Sequence, residues 1–145
     1  MKLGLIGGIA VALLVGGVAC GGLFGGSPTG PSSDTPQAFN TTVTGTVSAF
    51  GNVRHPFSAP RGGNQTIRLT WQDATVDLDL YLAVNACTVL YPQSSCGILA
   101  ASNAGQGVVN EQINRTVTAG EGFSVWVDNL HLSRPQNYSI QLTIQ

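Results

Sequence analysis

The sequence predicts an all-β domain, an antiparallel β-sandwich of about eight short strands. Three observations lead to this fold class. Apolar residues recur at every second position through much of residues 40–145, which is the repeat of a strand with one buried face. The chain holds 19 glycines and 7 prolines, and both residue types disfavour long helices. Clusters of turn residues separate the alternating segments at short intervals.

Eight segments carry the alternation and are predicted to be strands. The clear ones are 66–71, 76–84, 123–128 and 138–144, and the weaker ones are 42–50, 53–59, 97–102 and 109–117. In 76–84, leucines at 78, 80 and 82 share one face, so each such strand offers one apolar surface. Two sheets must therefore pack face to face to bury these surfaces. Trp71 shares a face with Ile67 and Leu69 and is predicted to lie in the core.

Residues 1–19 are predicted to be a lipoprotein-type signal peptide. Lys2 precedes an uncharged apolar run that ends in small residues, the order of an export signal. A membrane-spanning helix is the alternative, but the run is rich in glycine and shorter than the roughly 20 residues that a span needs. Val18-Ala19-Cys20 resembles the end of a bacterial lipobox, although Gly17 stands where leucine is usual. A plain cleaved signal is therefore the second alternative.

The lipobox resemblance implies that Cys20 is lipidated and anchors the chain to a membrane. The residue after it is glycine and not aspartate, which favours an outer-membrane or cell-surface location. Residues 20–39 are dominated by Gly, Pro, Ser and Thr and are predicted to be a flexible linker. Residues 40–145 then form the β-sandwich domain.

The three cysteines also fit an exported protein. If Cys20 is consumed by lipidation, Cys87 and Cys96 remain as a pair. A disulfide between them is expected in an oxidising compartment, with two free buried thiols as the alternative. The segment between them has the composition of a hairpin tip and contains Pro92.

Composition and motifs exclude several classes of function. The net charge is -1 with six scattered cations, so the chain lacks the basic surface that nucleic-acid binding requires. It contains neither a Gly-x-Ser-x-Gly elbow nor a His-Glu-x-x-His motif. Its histidines, His55 and His131, are predicted to lie on the surface or to pack in loops. We therefore expect no enzymatic activity and no catalytic residues.

Two pairs of residues are candidate binding groups. Trp126 and Tyr81 alternate with the apolar positions of their strands and should point outward, where flat rings could stack on a sugar or a protein partner. The linker, other loops or the 88–96 hairpin could instead cover them. Asp77 and Asp79 lie two residues apart and could bind Ca²⁺, although solvated or turn-capping carboxylates are the favoured interpretation. No other cofactor is expected.

The order of several segments resembles that of the bacterial pre-peptidase C-terminal (PPC) domain over residues 43–145. The specific part is Asp-Leu-Asp-Leu-Tyr-Leu at 77–82, with its spacing to Phe-Ser-Val-Trp-Val at 123–127. Further matching segments lie at 57–60, 67–71, 100–102, 117–120 and 137–142, together with Glu111. The resemblance implies a jelly-roll-like sandwich that usually follows a secreted enzyme, with related modules that bind collagen or polysaccharide. No such enzyme is present in this chain.

These inferences lead to a non-catalytic envelope lipoprotein whose sandwich binds a polysaccharide or an extracellular protein at the cell surface. Two alternatives stay open. The chain could be a structural subunit of a surface assembly, or an accessory module for a separately encoded secreted peptidase.

Overall fold

The computed structural model describes residues 37–145, which form two four-stranded antiparallel sheets. The predicted signal peptide, Cys20 and most of the predicted linker lie outside the described residues. Within residues 37–145, no helix combines the length and the apolar character needed to cross a membrane.

The strands alternate between the two sheets along most of the chain. Sheet A contains, in spatial order, β1 (Phe39–Val47), β8 (Gln136–Ile144), β3 (Gly63–Trp71) and β6 (Asn110–Val117). Sheet B contains β2 (Asn52–Ser58), β7 (Gly122–Asn129), β4 (Leu78–Val84) and β5 (Ile98–Ser102). This is the strand order of an eight-stranded jelly roll. The predicted fold class is confirmed, and each of the eight predicted segments contains a strand.

The core lies between the two sheets, as the alternation predicts. Leu78, Leu80 and Leu82 are fully buried on the inner face of β4. They pack in one cluster with Ile67 and the other inner residues of sheet A. Truncating one such leucine to alanine removes packed methyl groups and typically lowers the free energy of unfolding by about 2–5 kcal/mol. The inner face is therefore occupied by the core, so any binding must use an outer face or an end of the sandwich.

Trp71 lies in the core at the end of β3, as predicted. Its indole Nε1 donates a hydrogen bond to the backbone oxygen of Val76 at 3.0 Å. This bond satisfies a polar group that would otherwise be buried without a partner. It also ties the end of β3 to Val76, two residues before β4 begins.

The outer face of sheet A, which we call the polar face, carries almost no charge. The strand register brings its outward side chains into cross-strand rows, in which Arg68 is the one charged residue. The residues of the polar face are Asn40, Thr42, Thr44 and Thr46 on β1, Asn137, Ser139, Gln141 and Thr143 on β8, Asn64, Thr66, Arg68 and Thr70 on β3, and Asn110, Gln112, Asn114 and Thr116 on β6.

Candidate functional site

The outer face of sheet B carries the aromatic residues that the sequence singles out. Tyr81 of β4 and Trp126 of β7 are direct cross-strand partners, and both alternate with inward-facing core residues. Their side chains therefore point away from the main core, as predicted. They form a second cluster on this side of the sheet, separate from the core.

This second cluster is closed by residues 85–97, which connect β4 to β5 and which we call the cover loop. A disulfide joins Cys87 to Cys96, and both cysteines pack in the cluster together with Leu90. The predicted disulfide is thus confirmed. Arg54 also holds the loop in place, because its Nη2 donates to the backbone oxygen of Asn85 at 2.6 Å.

The cover loop corrects the expected exposure of the two rings. Trp126 is only 3% exposed and Tyr81 only 6% exposed, so the two rings form no open stacking surface. The structure instead matches the alternative in which the segment around 88–96 covers them. The cause is the disulfide-closed cover loop. Its apolar side chains pack on the two rings and exclude water from them. The indole Nε1 of Trp126 is buried without a hydrogen-bond partner among the described residues.

Next to the aromatic pair lies a row of polar side chains. Asp79 and Asp128 are direct partners in the β4–β7 register, and Asn52 of β2 is the partner of Asp128 on its other side. Both aspartates are buried. The Tyr81 hydroxyl donates to Asp79 Oδ2 at 3.0 Å, and the Tyr91 hydroxyl of the cover loop donates to Asp128 Oδ2.

Burial perturbs the protonation of this row. Desolvation is the largest cause that raises the pKa of Asp79 to about 6, with further increases from Asp77 and Asp128, while the bond from Tyr81 opposes the shift. Desolvation likewise raises the pKa of Asp128, and its bond from Tyr91 lowers it. The pKa of Tyr81 is raised to about 12, again mainly by desolvation. These shifts could not be predicted from the sequence, since they depend on cross-strand register.

The two aspartates proposed for Ca²⁺ occupy different surroundings. Asp79 lies within β4 and is bonded to Tyr81, whereas Asp77 precedes the strand and is partly exposed. Within residues 37–145, no group of three or more His, Cys, Asp or Glu side chains is arranged to hold a metal ion. Calcium generally needs six to eight oxygen ligands. Calcium binding by Asp77 and Asp79 stays a prediction, and any further ligands would have to be backbone, amide or water oxygens.

A cleft opens beside the polar row, at the end of the sandwich. We call it the end cleft; it has a volume of about 470 Å³, within the range of ligand pockets. Asp128 is its buried carboxyl group, and apolar side chains from two loops and the cover loop surround it. The residues that line it are Phe50, Asn52, Tyr91, Asp128, Asn129 and Leu130.

Asn129 holds the loops around the cleft. Its Nδ2 donates to the backbone oxygens of Ser48 at 3.1 Å and Arg134 at 2.8 Å, so one side chain joins the β1–β2 turn to the β7–β8 loop. Its Oδ1 accepts from the backbone N–H of His131 at 2.9 Å. The two loops are further joined by the Phe50 N–H, which donates to the His131 oxygen at 2.9 Å. The walls of the end cleft are thus set by hydrogen bonds.

Phe50 is the most unusual residue of the end cleft. Its backbone has a φ of 49°, the left-handed region that bulky residues avoid, and its side chain is 73% exposed. Glycine or asparagine would suit this turn better. The alternation predicts that Phe50 ends the strand segment 42–50, but β1 ends at Val47 and Phe50 lies in the turn that follows. The sequence could not reveal this, because phenylalanine is a common strand residue.

The two histidines contribute no catalytic arrangement among the described residues. His131 packs in its loop, where its Nδ1 accepts from the backbone N–H groups of Ser133 and Arg134. His55 is partly buried on β2, and its Nε2 lies 2.7 Å from the Tyr138 hydroxyl. Burial lowers the pKa of His55. Loop packing is confirmed for His131, while His55 packs inside the sandwich.

Comparison with known proteins shows similarity at the level of fold. No protein-family model and no curated protein matches the chain. The solved structure of the mitogen derived from Yersinia pseudotuberculosis (YPM) is 20% identical with a TM-score of 0.53, and the match covers 75% of this chain and 88% of that one.

Two further solved structures share the fold. The periplasmic inhibitor of g-type lysozyme PliG from Aeromonas hydrophila is 12% identical with a TM-score of 0.52, over 74% of this chain and 88% of that one. The pre-peptidase C-terminal domain of collagenase from Bacillus anthracis is 13% identical with a TM-score of 0.52, over 71% and 88%. The chain therefore has a PPC-like β-sandwich fold, as the sequence resemblance implied. At these identities the likeness carries the fold alone.

Proposed function

We propose that this chain is a non-catalytic binding module of the cell envelope, anchored through Cys20, whose end cleft binds a protein partner. The observation that carries the proposal is Phe50, which is held at a φ of 49° with its ring in solvent. Such backbone strain typically costs about 1–3 kcal/mol. Because the ring is exposed, its burial does not offset this cost in the free domain. Strain of this kind is typical of sites at which a second molecule contacts the strained residue.

The chemistry of the end cleft favours a protein over a polysaccharide as its partner. Phe50, Tyr91 and Leu130 each expose more than two fifths of their surface, with values of 73%, 45% and 42%. Together they give an apolar rim around one hydrogen-bonding carboxyl group, that of Asp128. Protein interfaces are built this way, with aromatic and apolar contacts at the centre and a few polar anchors.

The same geometry argues against catalysis at this cleft. Asp128 lines the end cleft but its neighbour Asp79 does not, so one carboxyl group reaches the space where a substrate would lie. The Tyr91 hydroxyl already donates a hydrogen bond to that carboxyl group. Acid–base chemistry needs two groups with distinct roles near the reacting atoms.

The fold comparisons lend support of a general kind. The Aeromonas hydrophila protein is a periplasmic inhibitor of a lysozyme, and a surface-associated copper-binding protein from Methylomicrobium album has a TM-score of 0.53 at 10% identity. Proteins with this fold thus include binding proteins of the bacterial envelope. The lipobox-like Cys20 adds a means of attachment to the same compartment.

Site-specific photo-cross-linking tests the proposal. A photoreactive phenylalanine analogue is placed at position 50 of the full-length chain in its native cells, and also at exposed Thr42 on the polar face as the control. We expect a protein adduct from position 50 that position 42 does not give. Absence of a protein adduct at position 50, or equal labelling from both positions, would contradict the proposal.

The identity of the adduct separates the alternatives. A second copy of this chain would indicate a structural subunit of a surface assembly. A secreted peptidase would indicate an accessory module. Any other envelope or extracellular protein would indicate a receptor or inhibitor role.

A further inference from the structure

We infer that the polar face is a second binding surface and that it takes a neutral polysaccharide. This inference is independent of the end cleft, which lies on the other sheet. It begins from a groove of about 510 Å³ that crosses β1, β8 and β3. The side chains of the polar face that line the groove are Thr44, Thr46, Thr70, Asn137 and Ser139, with Gln72 at its end.

Charge decides which polymer fits this surface. Arg68 is the one cation among the rows of the polar face, and no carboxylate belongs to them. An anionic polymer would find too few cations to neutralise its charges. A charged partner of either sign would lose its hydration without finding a matching group.

The polar face lacks apolar side chains, which argues against a protein as its partner. The outward rows consist of threonine, serine, asparagine and glutamine apart from Arg68, so they offer no aromatic or aliphatic anchor. Tight protein interfaces depend on such anchors. A neutral glycan is different, because its hydroxyl groups both donate and accept, and so do these side chains.

The polar side chains are also held in place before any ligand arrives. The Thr46 hydroxyl donates to Asn137 Oδ1 at 2.6 Å, and the Thr66 hydroxyl donates to Asn114 Oδ1 at 2.9 Å. Each bond joins neighbouring strands across the face. Side chains fixed in this way lose less conformational entropy on binding than free ones. The Thr46–Asn137 pair lines the groove, so part of its hydrogen-bonding surface is ordered before a chain of sugar rings binds.

Retention on insoluble glycans tests this inference. The purified full-length chain is passed over four neutral polysaccharides (cellulose, curdlan, chitin and cross-linked dextran) and over cross-linked polygalacturonate, which is anionic. We expect retention on at least one neutral matrix, at low and high salt alike, and weaker retention on polygalacturonate. Retention on none of the four, or preferential retention on polygalacturonate, would overturn the inference.

Matched variants locate the binding surface. Ser139→Glu places a charge in the groove and should reduce retention by about fivefold or more, because the carboxylate loses hydration against the glycan. Ser94→Glu makes the same substitution at an exposed position of the cover loop, which packs on the outer face of sheet B, and should bind as the wild type does. Thermal unfolding confirms that both variants fold. Equal retention of the two variants would contradict the inference.

The Phe50→Asn variant separates this inference from the proposed function. It should keep full glycan retention while losing the protein partner. Loss of glycan retention in Phe50→Asn would mean that the glycan binds at the end cleft, which contradicts the assignment to the polar face. Loss of the protein partner in Ser139→Glu would instead contradict the assignment of that partner to the end cleft.

Discussion

At the scale of single residues, Phe50 and Asp79 each have a feature that lowers the stability of the free domain. Phe50 holds a left-handed backbone conformation at the tip of the β1–β2 turn. Asp79 is buried beside another carboxyl group, with a pKa raised to about 6. Both residues border the end cleft or its polar row, where a binding role would account for their cost.

Replacing Phe50 with asparagine should stabilise the free domain. Asparagine visits the left-handed region readily, so Phe50→Asn is expected to raise the free energy of unfolding by about 1 kcal/mol. Urea denaturation of the full chain measures this change. Phe50→Ala is the control, since alanine removes the ring but keeps the strain. An asparagine variant no more stable than the alanine variant would show that the backbone strain is not significant.

Neutralising Asp79 should change the pH dependence of stability. A raised carboxyl pKa means that the folded state binds the proton more tightly, so wild-type stability should fall as the pH rises from about 4 to about 6. Asp79→Asn keeps an acceptor for Tyr81 and removes the charge. It should therefore be more stable than the wild type at pH 7, by roughly 3 kcal/mol, and lose this advantage near pH 4.

Urea denaturation at four pH values between 4 and 7 checks this expectation. Asp73→Asn is the comparison, because hydrogen bonds donated by Thr75 lower the pKa of the partly exposed Asp73, so removing this carboxylate should bring no gain at pH 7. A pH-independent difference between Asp79→Asn and the wild type would contradict the assignment.

At the scale of elements, the strands could be predicted from the sequence and the loops that form the site could not. The buried face of segment 76–84 could be predicted from the sequence, because the alternation of apolar and polar residues along a strand is a local property. The cover loop has no such periodicity, and its burial of Trp126 depends on a contact between distant parts of the chain. The position of Asp128 beside Asp79 likewise requires the β4–β7 register. The outward direction of Trp126 could be predicted, whereas the sequence could not decide between an exposed ring and one covered by the 88–96 segment.

Opening the cover loop should expose the aromatic cluster. In the variant with both Cys87→Ser and Cys96→Ser, the unfolded chain regains the freedom of a loop of about 10 residues, which predicts a loss of about 2–3 kcal/mol in the free energy of unfolding. Local opening should also make Trp126 more accessible to acrylamide. Fluorescence quenching checks this, and since the chain has 2 tryptophans, the buried Trp71 supplies the constant background. Unchanged quenching would show that the loop stays closed without its disulfide.

At the scale of the whole molecule, the sandwich carries two outer surfaces of contrasting chemistry. The end cleft combines an apolar rim with a buried carboxyl group, and the polar face offers uncharged hydrogen-bonding groups. A module anchored in the envelope with both surfaces free could join a glycan to a protein.

Attachment to the membrane depends on Cys20 in this account. Cys20→Ala should leave the protein in the soluble fraction, because the acyl chains that hold a lipoprotein in the bilayer can no longer be added. Fractionation of cells, with intact-mass analysis of the wild type, measures this. A Cys20→Ala variant that stays in the membrane fraction would contradict lipid anchoring and favour attachment by another part of the chain.

The most direct test of the central claim is the affinity of the partner captured at position 50. Isothermal titration compares the wild type with Phe50→Asn and with Leu99→Asn, which removes an exposed apolar side chain from the opposite edge of the same sheet. Phe50→Asn should weaken binding at least about tenfold, whereas Leu99→Asn should bind as the wild type does. Wild-type affinity in Phe50→Asn, or equal losses in both variants, would contradict the account.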